Sequence, residues 1–325
     1  MSSFVHASRA LVVGEALIDI VEREGSSEAP TEVVGGSPAN VALGLSRLGV
    51  AATLLTHLAH DARGERIASE LRAEGVSIGD ETFSAERTAT ARALIAEDGA
   101  ADYTFDISWD ITAPDSVDAH LVHAGSLALF LEPGAQKVAS LVETVGPGAV
   151  VSLDPNIRPR LLPEHEAAVE LFERLARHAD VVKLSDEDAA WLYPGVPMSD
   201  VARHLRDLGA TLVVVTMGAG GALAQVPGVG QVGPAVGHVA DGDVQVRVPI
   251  RPGPLVDTIS AGDSFMASLL GSVLARGLDA CVVDVEGLLN RASCASAIAV
   301  SKAGANPPTL EALDALEAGE ESVLG

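Results

Sequence analysis

The sequence predicts an α/β fold built on a mostly parallel sheet with helices on both faces, and three observations carry that expectation. From Asp118 onward, short apolar strand-like runs alternate with longer helix-like ones, the pattern of successive strand and helix units. Polar or glycine-rich turns follow directly on several of those strands, where ligands of open parallel sheets collect. Between Glu81 and Trp109 the periodicity changes from helical to alternating, which predicts a separate small β element. The chain has 325 residues and 48% apolar content, enough to bury a core in one large domain or two smaller ones. It is read here as a single domain over residues 1–325.

The net charge of −24 argues against nucleic acid or an anionic membrane surface as a partner, since both require a basic face. A polyphosphate would have to be met locally by Arg, backbone N–H groups and Mg²⁺. Cys281 and Cys294 are too few for a disulfide framework. The first residues have no signal-peptide design, and no stretch approaches the ~20 apolar residues needed to span a bilayer. A cytoplasmic protein is expected.

Ala10 to Val13 reads as a buried strand ending at Gly14, with Asp19 just beyond. Thr31 to Asn40 carries paired glycines, Gly35 and Gly36, and Pro38 is placed to begin a helix over Ala39 to Leu48 that stops at Gly49. Ala52 to His57 reads as a strand, and Asp61 with Gly64 turns into a helix over Glu65 to Glu74. His57 and His60 lack a third ligand in any metal pattern, so they read as polar residues at a strand end. The runs from Thr90 to Glu97 and from Asp102 to Ile107 flank an Asp98-Gly99 turn and predict a hairpin. Of ten aromatic residues in the chain, Phe83, Tyr103, Phe105 and Trp109 fall here. They fit a ligand-facing lid, a subunit contact or an edge packed on the main domain.

Next come Leu121 to Ala124, Ala135 to Thr144, Ala149 to Leu153, Glu164 to Arg177 and Val181 to Leu184, alternately strand and helix. Asp154, Asn156 and Arg158 follow one strand, and a guanidinium there can meet phosphate oxygens as a fork. Ser185 to Asp188 follow the next and read as an acidic helix start. Thr211 to Thr216 is a β-branched strand leading into the glycine turn Gly218 to Gly221. Gly228 to Gly233 spells G-x-G-x-x-G, but Pro227 and Pro234 flank it and no helix pattern continues, so it is no dinucleotide site. None of the three lysines follows a glycine, which excludes a Walker A segment. Strands around Val244 to Val248 and a small-residue helix over Leu288 to Val300 complete the pattern.

The rest is organised around Asp257 to Phe265, where small residues turn the chain into a helix. The first-turn N–H groups of Ala261, Gly262 and Asp263 converge on one point and the helix dipole adds positive potential there. With the Asp263 carboxylate at its edge, the segment pairs an anion cradle with a proton acceptor, as phosphoryl transfer to an alcohol requires.

This segment resembles the Asp-Thr-x-Gly-Ala-Gly-Asp signature of the ribokinase-like (pfkB) carbohydrate kinases, with Ser260 where the family usually has glycine. The resemblance extends over about residues 10 to 310, and Asp154, Asn156 and Arg158 resemble a motif of the fructokinases and 2-keto-3-deoxygluconate kinases. It implies a ribokinase-like three-layer αβα fold with a small β-sheet lid drawn from about residues 17–34 and 82–109. It also implies transfer of the ATP γ-phosphoryl group to a primary sugar hydroxyl, with fructose the leading candidate. Asp263 would be the base, assisted by Gly262, Ala261 and Arg158. The sugar would meet Asp19, Gly35, Gly36 and Asn40, with Arg92, Tyr103 and Phe105 on the lid. The nucleotide would lie against Ser185, Thr216, Gly218, Gly221, Ser293 and Ala297, with Mg²⁺ reached through water from Asp188. K⁺ would sit by Asp257 and the carbonyls of Ile259, Ala299, Lys302 and Gly304. A homodimer through the lid is implied. Two other readings stand beside this one: a sugar-acid kinase with Arg92 meeting the carboxylate, and a silent sugar sensor, against which the presence of Asp263 speaks.

Overall fold

The computed structural model describes residues 8–324 apart from 27–28, 97–100, 115, 147, 229–235 and 239–241. In chain order the strands are β1 (Arg9–Val13), β2 (Leu17–Arg23), β3 (Thr31–Gly35), β4 (Ala51–Leu55), β5 (Thr90–Ile95), β6 (Ala101–Asp106) and β7 (Leu121–Gly125). They continue as β8 (Val150–Asp154), β9 (Val181–Ser185), β10 (Leu212–Thr216), β11 (Ala222–Pro227), β12 (Val236–His238) and β13 (Asp243–Val248). The main sheet runs β12-β13-β11-β10-β9-β8-β7-β1-β4. From β4 to β10 every pairing is parallel, whereas β11, β13 and β12 close the far edge antiparallel.

Alternate residues of the central strands feed two different cores. Val12, Leu212 and Val214 pack on one face with Met266 and Leu288, while Val13, Val213 and Val215 pack on the other with Phe172 and Leu205. Both faces are therefore covered, which is why these strands read as continuous apolar runs. The helices Ser37–Arg47, Ala261–Arg276 and Val285–Val300 lie on the first face. Gly134–Thr144, His165–Ala176 and Met198–Leu208 lie on the second. Among the described residues no helix is long and apolar enough to cross a membrane.

The second sheet runs β3-β2-β5-β6, with β2 and β5 parallel. Its parity separates two faces. Ile18 and Ile20 join the main core beside Ile67 and Leu71 of the helix Ala62–Ala73. Asp19, Val21, Val33, Ala91, Ala93, Tyr103 and Phe105 share the other face, as their cross-strand register requires.

The aromatic concentration divides. Tyr103 and Phe105 stack on the second sheet, with ring centroids 6.2 Å apart. Trp109 instead is buried in the main core, and Phe83 stacks on His60 at 4.6 Å. Asp61 caps its helix by accepting from the Gly64 N–H at 2.8 Å. His57 Nδ1 lies against the Ser108 carbonyl and the Asp110 N–H, and His60 meets Glu65. The Asp98-Gly99 turn and most of the stretch from Gly228 to Gly233 lie outside the described residues.

Candidate active site

The carboxyl ends of β1, β8 and β9 meet the N-termini of two helices, Ser37–Arg47 and Ala261–Arg276. Gly36 precedes the first helix at φ 106°, a region that favours glycine, and a Cβ there would stand 2.5 Å from the Glu15 carbonyl oxygen. That turn lets Pro38 open the helix, so Ser37 and Asn40 fall on one face, three residues apart. Ser37 Oγ donates to Asp263 Oδ1 at 2.7 Å and Asn40 Nδ2 donates to Asp263 Oδ2 at 2.8 Å. Both carboxylate oxygens are thereby oriented, and each retains lone-pair capacity for a further proton donor.

The anion cradle is narrower than the sequence implies. The Ala261 N–H turns back to the Thr258 carbonyl at 3.3 Å, and the first intrahelical bond is Ser264 N–H to Ser260 O. The Gly262 and Asp263 amides remain as the first-turn donors. Ser260 sits at φ 59°, ψ 13°, in the left-handed region, and its buried hydroxyl has no partner among the described residues. The other described non-glycine residues with positive φ are Ser126 at 58° and Asn156 at 37°. Each follows a strand at the same end of the sheet, so the strained backbone collects around this site.

Charge is concentrated here. Burial pushes the Asp263 carboxyl above its usual range, while the bonds from Ser37 and Asn40 and the charge of Lys183 pull the other way. Glu15 is buried and desolvation raises it to about 7, against a hydrogen bond with Ser126 and the charge of Arg158. Asp19 is raised by burial to about 6, again opposed by Arg158. Arg158 itself is exposed, with Nη1 donating to the Ile157 carbonyl at 3.0 Å. Beneath lies an ion pair of Lys183 Nζ and Asp154 Oδ2 at 2.8 Å, both buried.

Among the residues expected to meet a sugar, Asp19 approaches Gly35 so closely that a Cβ at residue 35 would stand 2.1 Å from its Oδ2. Tyr103 and Phe105 share the Asp19 face of the lid. Arg92 does not: it pairs in register with Ile20, on the opposite face, and forms an ion pair with Glu22. The sugar-acid reading loses its cation, because strand parity turns Arg92 away.

Among the residues expected to meet a nucleotide, Ser185 caps the helix Asp186–Leu192 in a capping box with Asp188. The Asp188 Oδ2 accepts from Ser185 N–H and its Oδ1 from Ile157 N–H, at 2.8 and 2.7 Å. Asp188 is thus committed to backbone amides, and among the described residues no group of three His, Cys, Asp or Glu could hold a metal. Thr216 ends β10, and Gly218 and Gly221, both at positive φ, close the turn that follows. Ser293 Oγ accepts from the Arg251 N–H at 2.8 Å, one turn from the buried Ala297. Asp257 joins two loops, accepting from Ile259 N–H at 3.0 Å and Gly304 N–H at 2.9 Å. The Val300 carbonyl accepts from Val256 and Asp257, and Lys302 N–H donates to the Ala299 carbonyl.

Sequence reasoning assigned no role to Ser37, Glu15 or Lys183. Ser37 lies inside the glycine-proline turn already singled out, and Glu15 follows a strand end directly. Lys183 had the clearest signal, as one of three lysines placed within an apolar strand.

A family model described as pfkB family carbohydrate kinase matches residues 7–312. A fructokinase of Rhizobium leguminosarum bv. trifolii is 31% identical over 276 residues, spanning 81% of this chain and 79% of its own. The fructokinase of Xylella fastidiosa with bound ATP has a TM-score of 0.76 at 25% identity, covering 96% of this chain and 99% of its own. A fructokinase of Vibrio cholerae in fructose, ADP and calcium ion bound form has a TM-score of 0.77 at 25% identity, covering 95% and 98%.

Proposed function

The chain belongs to the pfkB family of carbohydrate kinases, phosphotransferases with a sugar hydroxyl as acceptor on a ribokinase-like α/β fold, and on that premise we propose that it is an ATP-dependent fructokinase. The observation that carries the reading is the Asp263 carboxylate, held by Ser37 and Asn40 at the edge of the Gly262 and Asp263 amides. A primary hydroxyl at Asp263 gives up its proton as its oxygen forms a bond to the γ-phosphorus, and the bond to the ADP oxygen breaks. The two amides and the exposed Arg158 meet the charge that develops on the transferring group. Mg²⁺ on the phosphates would offset their charge, and K⁺ beside Asp257 would brace the turn before the helix.

Asp19 and the Gly35 backbone supply polar partners for sugar hydroxyls without an added cation, which favours a neutral hexose over a sugar acid. A second copy of the chain would cover the lid, where Val21, Val33 and Tyr103 are exposed on one face. ATP consumption over a panel of ketoses, aldoses, nucleosides and keto acids tests the assignment. Preference for fructose supports it, and preference for a nucleoside or keto acid overturns it.

A further inference from the structure

Lys183 is one of three lysines in the chain, and it is buried midway along β9. Among the described residues its hydrogen-bond acceptor is Asp154 Oδ2, at 2.8 Å. Its ammonium also stands against the first turn of the helix Ala261–Arg276: a Cβ added at Gly262 would lie 3.2 Å from Nζ. A side chain at residue 262 would press directly on this ammonium. A cation at a helix N-terminus opposes the helix dipole, and burial removes the water that would otherwise solvate it. The pair has a direction, with its positive end against the Gly262 turn and its negative end on β8. The titratable groups around it are Asp154 and Asp188, Asp263 across the turn, and His123 on β7, which burial and the Lys183 charge keep neutral. Asp263 is faced in turn by Glu15 beyond β1, by Ser37 and Asn40, and by the Lys183 and Asp154 charges.

We propose that Lys183 is a positioning residue for phosphoryl transfer: its ammonium, pinned to Asp154 beneath Gly262, supplies the buried positive charge that keeps the Asp263 carboxylate ready to accept the hydroxyl proton. The inference rests on the sugar-kinase reading for its consequence, and on the Lys183, Asp154 and Gly262 geometry for its physics. Lys183 and Asp154 act on Asp263 in opposite directions, and Lys183 has the larger influence.

The test compares wild type with Lys183→Met, Asp154→Asn and the double variant, in the full chain. The Asp263 carboxyl is titrated by carbon-13 NMR of aspartate-labelled protein, its signal assigned by its absence in Asp263→Asn. Its titration should move to higher pH in Lys183→Met and to lower pH in Asp154→Asn. With ATP and fructose, kcat of Lys183→Met should fall about tenfold or more near pH 6 and recover near pH 9, with KM little changed. The double variant leaves no unpaired buried charge, so it reports even where a single variant does not fold. Its Asp263 should still titrate above wild type. An unmoved titration in the folded variants, or a kcat loss equal at every pH, overturns the proposal. Absence of sugar phosphorylation by wild type would strike the kinase reading instead, and the NMR titration would still decide the role of Lys183.

Discussion

Asn40 Nδ2 donates to Asp263 Oδ2 at 2.8 Å across 223 positions of sequence, so the amino-terminal glycine turn orients the carboxylate delivered by the carboxyl-terminal signature. Two helix starts form one site through this contact. Removing either partner should be felt at the other. Asp263→Asn is expected to lower turnover by the ~10²–10⁴ typical of a lost general base while leaving ATP affinity nearly unchanged. Steady-state kinetics with separate nucleotide binding checks this, and near-normal turnover would remove Asp263 from the role.

Ser260 occupies a left-handed position at φ 59° with an unpartnered hydroxyl. Ser260→Gly should raise stability by about 1 kcal/mol, with turnover within a few fold of wild type. Ser260→Val should lose both stability and turnover, because a β-branched side chain is strained there and crowds the phosphate approach. Thermal melts and kcat measured together check the pair of variants. Equal behaviour of Gly and Val would show that this turn does not shape the anion site.

Glu15 sets a pH dependence of stability. Its folded value of about 7 stands above the 4.5 of an ordinary glutamate, so the folded state binds the extra proton between those limits. The associated stability is fully present below about pH 4.5 and is lost as pH rises through 7, a cost of roughly 3 kcal/mol above that point. Glu15→Gln should therefore raise the melting temperature at pH 8 and flatten its slope between pH 5 and 8. An unchanged slope would contradict the assignment.

The lid predicts a contrast between its two faces. Arg92→Ala should leave fructose kinetics unchanged, since Arg92 pairs with Glu22 on the face away from Asp19. Val33→Asp or Tyr103→Asp should dissociate a dimer formed through the exposed face, as read by light scattering. A wild type that is monomeric at micromolar concentration would contradict the dimer.

Much of this architecture was legible in the chain because it rests on local signals. Continuous apolar runs such as Leu212 to Val215 mark strands buried on both faces, and Pro38 after Gly36 marks a helix start. The acidic first turn at Asp263 is equally local. What escaped was set by distant partners. Nothing near Ser37 shows that its hydroxyl will meet Asp263, and the role of Lys183 depends on Gly262, far along the chain. The face that Arg92 takes is not legible in composition; its pairing with Ile20 decides it.

Phosphoryl transfer from ATP to a primary hydroxyl of fructose is tested most directly by phosphorus-31 NMR of the reaction mixture. The ATP γ-phosphorus signal should be lost as a phosphate monoester split by two methylene protons grows, in wild type and not in Asp263→Asn. Inorganic phosphate as the sole product, or an ester coupled to a single methine proton, would contradict it.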